Sequence, residues 1–241
     1  MTGGGTAGHI TPLLAIAKQL SIKSPSTKLI LVIERGNLNE QLILDSGIQF
    51  KIHRIVAGKY RRFHNLSLAS QVFAVKRNLL NLRDILFVFI GFIHCLGIMI
   101  RYRPKVVFSK GSYVSVPVSF AAAVTFRKIV THDSDSIPGL ANRLVSRLAK
   151  KNAVGVMSSG SYDKDKTIYT GVPVSDEYLK RASQDKKISK REVGFSEDEE
   201  ILLIGGSTQG SKVIDDAVEK IVPRLLSENS NLQIVHVFGR L

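Results

Sequence analysis

Gly3-Gly4-Gly5-Thr6-Ala7-Gly8-His9, running into Ile10-Thr11-Pro12-Leu13-Leu14, is the stretch from which the rest of the chain is read. Glycines let a backbone approach an anion closely, and a helix N-terminus adds free N–H groups with a partial positive charge. Pro12, with Thr11 before it, predicts a helix that starts near those two residues. The segment also fits G-x-G-x-x-G, and Glu34 ends the next apolar run, where a dinucleotide enzyme would hold a ribose. An NAD-dependent oxidoreductase is therefore one reading. His9 is the discriminating residue, because a side chain there points into the cleft above the strand ends. It serves either as a catalytic imidazole or as a structural, helix-capping one.

Outward from this loop, short β-branched runs alternate with stretches of helical spacing. The strands are predicted at Lys28–Glu34, Phe50–Ala57, Val106–Ser109, Lys128–His132, Ala153–Met157, Thr167–Tyr169, Ile201–Ile204 and Gln233–Phe238. Helices are predicted over Leu13–Leu20, Val116–Phe126, Gly139–Lys150 and Lys212–Leu226. Such alternation predicts parallel, doubly wound sheets with helices on both faces. The apolar pattern lapses at Ser158–Lys166, which divides the chain into domains 1–160 and 161–241. Ala182–Glu200 is highly charged and reads as a solvated connection. A glycine loop of this kind normally follows a first strand, yet here it begins two residues from the start. The second domain shows three strands and two helices before Leu241, which is thin for a self-standing core. The expectation is a fragment or a misjudged reading frame.

Two further glycine turns follow strands and open helices: Lys110-Gly111-Ser112-Tyr113-Val114-Ser115 and Gly205-Gly206-Ser207-Thr208-Gln209-Gly210-Ser211. Loops of this type opening separate α/β units suggest two domains, each offering a helix N-terminus to a pyrophosphate.

The 241 residues carry a formal net charge of +14, and 44% of them are hydrophobic, which excludes a disordered chain. A single cysteine, Cys95, excludes an internal disulfide, and no Cys/His spacing fits a zinc motif. The N-terminus lacks the layout of a signal peptide. Residues 51–110 hold twelve of the 34 basic residues against one acid, Asp84, and so carry +11 of the +14. Within them lies the apolar run Ile85–Ile100, sixteen residues long, short of the ~20 that span a bilayer as a helix. Basic residues flanking an aliphatic helix point to an anionic membrane surface and away from nucleic acid. A membrane-surface protein without catalysis is a third reading beside the enzyme readings. Asp133 and Asp135 have the chemistry to share Mg²⁺ with a diphosphate, although two acids in a loop are more often solvated.

GGTAGHITP, GSYVSVP, HDSDSIPGLANR, TGVPV and GGSTQGSK stand in the order of the signature segments of the MurG glycosyltransferase family, which the chain resembles from Gly4 to about Leu226. The resemblance implies an α/β fold of the GT-B type, two Rossmann-like domains with parallel sheets and the active site between them. Here the second domain would be incomplete and the first would lack its first strand, and with the family's uracil, ribose and sugar-binding segments falling beyond Leu241 such a fragment would be inactive by itself. It implies an inverting transfer of N-acetylglucosamine from UDP-GlcNAc to the muramyl 4-hydroxyl of undecaprenyl-pyrophosphoryl-muramyl peptide (lipid I), forming lipid II at the cytoplasmic face of the bacterial membrane. No cofactor is obligatory and no metal is implied.

By position, His9 matches the family's glycine-loop histidine, a base or acceptor-positioning residue. Gly5, Thr6, Gly8, Tyr113 and Asp135 fall on the acceptor side, and Gly206, Ser207 and Gln209 on the donor side. The family's membrane patch corresponds to Lys76, Arg77, Leu79, Leu80, Phe87 and Phe89. Domain 1–160 would then be the acceptor and membrane-associating domain, and 161–241 the start of the UDP-sugar donor domain. The chain departs from the pattern at several points. Asp135 stands where the family has asparagine, Ser112 where it has glycine, and Ser175 where an arginine lies near the donor phosphates. Thr208 reads as an insertion.

Overall fold

A computed structural model describes residues 1–61, 75–157, 162–206 and 210–238; the side chain of Lys76 lies outside this description. The chain forms two compact units, Met1–Ser175 and Asp176–Leu241.

The first unit runs α1 (Ala7–Lys23), β1 (Leu29–Glu34), α2 (Glu40–Asp45), β2 (Phe50–Ile55), α3 (Val75–Tyr102), β3 (Val106–Ser109), α4 (Ser115–Val124), β4 (Lys128–Asp133), α5 (Leu140–Ser146), β5 (Lys151–Val154) and β6 (Thr167–Tyr169). Strands β1 and β2 pair in parallel, and β3, β4, β5 and β6 pair in parallel in that order. Thr2 joins the two groups, bridging in parallel to Val32 of β1 and to Ser109 of β3. The Met1 carbonyl accepts from Val32 N (3.0 Å), while Thr2 donates to Phe108 O (2.8 Å) and accepts from Lys110 N (2.9 Å). Met1 and Thr2 thus stand where the sequence predicts a missing first strand.

Side chains of β1 show why both faces of the sheet are covered. Leu31 and Ile33 join Ile10 and Leu13 of α1 and Ile43 of α2 in one cluster. Val32, with Ile30 beside it, joins the other cluster, formed with Cys95, Ile98 and Met99 of α3, Val118, Ala121 and Ala122 of α4, and Val145 of α5. Alternation with period two sends successive residues of one strand into two cores, as a doubly wound sheet requires.

The second unit holds α6 (Asp176–Ala182), α7 (Lys186–Glu192), β7 (Glu200–Gly205), α8 (Lys212–Glu228) and β8 (Leu232–Val237). Strands β7 and β8 pair in parallel, from Glu200 opposite Leu232 to Gly205 opposite Val237, with α8 as the connection.

Three sequence expectations change. Helix α1 starts at Ala7, so Pro12 lies inside it. Proline has no N–H, so the Gly8 carbonyl loses its partner four residues on. The charged connection Ala182–Glu200 contains α7, whose seven residues are not buried; Asp185 starts it by accepting from Lys187 N (2.7 Å). The units divide after Ser175 rather than at 160/161, because β6 pairs with β5 in the first sheet.

Helix α3 is inverted in its N-terminal half. Its inner face carries Asn81 and Asp84, both buried, while Leu79, Leu82, Ile85, Leu86, Phe89 and Ile93 are exposed. Asn81 exchanges hydrogen bonds with the Arg61 backbone (2.9 and 3.1 Å), and Asp84 pairs with Arg61 and with Arg83 (2.9 Å). Burial alone would raise the Asp84 carboxyl, but hydrogen bonds from Arg83 and Arg61 hold it below the usual carboxylate range. Close approach is set by two glycines: a Cβ at Gly58 would overlap the Asp84 carbonyl, and one at Gly91 the Val56 carbonyl. Gly97, on the same helix, has open space around it. Gly91→Ala is expected to cost about 2 kcal/mol in urea unfolding, as overpacking does. Gly97→Ala should be neutral or stabilising by up to about 1 kcal/mol.

Candidate active site

Parallel strands deliver their C-terminal ends, and the loops that follow them, to one edge of the sheet. The Gly3–Gly8 loop leaves Thr2 there, the Lys110–Ser115 loop leaves β3, and Ser134–Gly139 leaves β4. Small residues let the first two loops touch. Gly5 holds φ +80, and a Cβ on it would lie 3.2 Å from Ser112 Oγ and 3.5 Å from the Tyr113 ring. Gly111, at φ +99, packs beside the Asn142 amide. Ser112 adopts φ +75, a left-handed conformation that costs a non-glycine residue strain. Ser115 Oγ ties this loop by donating to the Gly111 carbonyl.

His9 sits in the first turn of α1, with Nδ1 3.0 Å from Thr6 Oγ1. When Nδ1–H donates to that hydroxyl, Nε2 is left unprotonated and able to accept a proton. Burial and the neighbouring Lys110 ammonium lower the imidazole below its ordinary value, against the opposite pull of Asp135, Asp133 and Glu34. His9 is therefore neutral near pH 7, and the carboxylates stabilise the imidazolium once it takes a proton. Lys110 is itself 3% exposed, and burial lowers its ammonium despite Asp133 and Asp135. The Tyr113 phenol is pushed up to about 12, by burial first and then by the Glu34 carboxylate.

The structure brings Gly5, Thr6, His9 and Tyr113 together, with Gly8 in the first turn of α1 and Asp135 close enough to act on His9. Asp135 is exposed, and its N–H donates to Asp133 Oδ1 (3.1 Å). Asp133 is buried and accepts from Tyr162 as well (2.7 Å), so its carboxylate is engaged within the fold. His132 is structural: Nε2 meets the Gly171 carbonyl at 3.0 Å. Lys110 is the residue that sequence reasoning missed. Its signal was a lysine at a strand end against glycine, where burial is forced.

Glu34 overturns the dinucleotide reading. Its Oε1 accepts from Gly5 N at 2.7 Å, so the carboxylate is bound to the loop that would cradle a pyrophosphate and is not presented to a ribose. In the second unit Gly206 is buried, and a Cβ there would lie 2.5 Å from Ser211 N, so Gly206 and Ser211 are close neighbours. Ser207, Thr208 and Gln209 lie outside the described residues. In the membrane patch Leu79 and Phe89 are exposed, while Leu80, Arg77 and Phe87 are partly buried, with the Arg83 guanidinium 5.3 Å from the Phe87 ring.

Comparisons with known proteins bear on the family and the fold. The model of the glycosyltransferase family 28 N-terminal domain matches residues 1–154. Two curated relatives named UDP-N-acetylglucosamine–N-acetylmuramyl-(pentapeptide) pyrophosphoryl-undecaprenol N-acetylglucosamine transferase match over all 241 residues. One, from Clostridium perfringens, is 32% identical, and the chain covers 61% of its length. The other, from Clostridium botulinum, is 34% identical, with 62% of its length covered. The chain thus spans about three-fifths of these relatives. Among solved structures, Acinetobacter baumannii MurG matches the whole chain and 57% of its own, with TM-score 0.62 at 20% identity. A UDP-GlcNAc 2-epimerase from Neisseria meningitidis bound to UDP-GlcNAc matches the whole chain and 65% of its own, with TM-score 0.60 at 15% identity. These likenesses show an α/β fold of the GT-B type.

The charge pattern around His9 is tested by NMR titration of its ring protons. Its pKa is expected below 6.5, to rise in Lys110→Met, and to fall in Asp135→Asn. A base carried by His9 then gains activity as pH rises through that lowered value and levels off above it.

Proposed function

The chain belongs to glycosyltransferase family 28, its residues 1–154 matching the N-terminal domain of that family, and on this premise we propose that it acts in inverting transfer of N-acetylglucosamine from UDP-GlcNAc to the muramyl 4-hydroxyl of lipid I, yielding lipid II. The observation that carries this reading is His9, a desolvated imidazole beside Lys110 on a glycine loop, neutral where a hydroxyl must lose its proton. As the 4-oxygen attacks the anomeric carbon, His9 Nε2 takes the hydroxyl proton and Thr6 Oγ1 accepts from Nδ1–H. The bond from the anomeric carbon to the diphosphate breaks, and UDP leaves with the electron pair. Asp133 and Asp135 offset the charge that develops on the ring. The first unit supplies the acceptor side, through Gly5, Thr6, Gly8, His9, Tyr113 and Asp135. In the second unit, the turn from β7 into α8 at Gly206 supplies a donor-side loop.

The same reading gives α3 an anionic membrane surface as partner, at the cytoplasmic face. By length and composition Arg77–Tyr102 is long and apolar enough to cross a membrane. Its other face, however, closes the core through Cys95, Ile98 and Met99, and a spanning helix would have to abandon that core. Leu79, Leu82, Leu86, Phe89 and Ile93 recur at spacings of three and four along the outer face. Arg83 and Arg101 stand among the helix's cations, so the outer face can enter the headgroup boundary while they meet phosphate.

Vesicle sedimentation tests both parts. The chain is expected to bind anionic vesicles, to bind them at least about tenfold more tightly when they carry lipid I, and not to bind NAD. Equal binding with and without lipid I, or stoichiometric binding of NAD, overturns the transferase reading. Leu82→Glu with Phe89→Glu should abolish vesicle binding while leaving the unfolding midpoint almost unchanged, because both side chains are exposed.

A further inference from the structure

Glu34 lies at the end of β1 with 7% of its surface exposed, beneath the loop that opens α1. Its Oε1 accepts from Gly5 N at 2.7 Å, its Oε2 is sealed from solvent, and the Tyr113 phenol donates to the carboxylate. Gly4 is pressed against it so closely that a Cβ there would overlap Oε2. A buried carboxylate is costly, and it is held here by the backbone of the loop and by Tyr113. The start of α1 offers it a favourable field: the first turn contains no acid, and Thr6 makes no capping bond. The neighbouring loop has the opposite sign, opening with the buried Lys110.

We propose that Glu34 is a specificity-determining residue, which fills the anion position of the Gly3–Gly8 loop with a carboxylate of the chain's own. The loop thereby refuses phosphate. This refusal of phosphate does not rest on the transferase reading.

The test uses the ¹⁵N-labelled chain titrated with inorganic pyrophosphate, read at the backbone amides of Gly4, Gly5 and Thr6. The wild-type amides are expected to stay unmoved. Glu34→Gln keeps an oxygen for the Gly5 amide and removes the charge, so these amides should shift saturably, with local affinity raised at least about tenfold. Glu34→Ala removes oxygen and charge together and should behave likewise. Movement of the wild-type amides with pyrophosphate overturns the proposal without recourse to any variant. So does a folded Glu34→Gln or Glu34→Ala chain whose amides stay still. Failure of the chain to prefer lipid I vesicles would overturn the transferase reading and leave this result standing.

Discussion

Two residues hold the sheet of the first unit together. Met1 and Thr2 hydrogen-bond to β1 on one side and β3 on the other, and the β1–β2 pair reaches the remaining four strands through them. Because they run parallel to both neighbours, the chain must leave at the edge where β1, β3 and β4 also end. The glycine loop is therefore placed by sheet pairing before any of its own interactions form. His9 on α1, Tyr113 and Lys110 after β3, and Asp133 and Asp135 after β4 then converge without a long excursion of the chain.

Convergence creates the electrostatics. A histidine, a lysine and carboxylates share a region from which much water is excluded, and each changes the proton affinity of the others. Burial, and after it Lys110, keep His9 neutral at rest. The carboxylates lower the cost of the proton that His9 accepts. In its proposed role as a base, His9 would respond to charge changes on residues that never touch its substrate, which is why Lys110 enters the proposed site despite its burial.

Much of the fold was legible because period-two and period-three-to-four patterns are local properties. Strands β3 and β6 lie where the β-branched runs place them, and β1 and β2 differ by one or two residues. What was not legible depended on distant partners. Pro12 carries the mark of a helix start, yet the turn before it is helical because Thr2 and the glycine loop fix its entry. Glu34 has the spacing of a ribose-binding acid; only the position of the Gly5 amide shows that it faces its own loop. Asn81 and Asp84 look like surface residues of an apolar helix until Arg61 turns them inward. Lys110 lies in a glycine motif, where its neighbours drew attention first.

The inward turn of Asn81 and Asp84 commits α3 to one rotational setting. Rolling the helix to hide Leu82 and Phe89 would expel the Asp84 ion pairs and lose the close seat of Gly91 on Val56. The fold cannot relax its way out of a greasy exterior. Away from lipid, that exterior has detergent or another copy of itself as alternatives to water, so colloidal behaviour is written into the outer face of the helix whose inner face anchors the core.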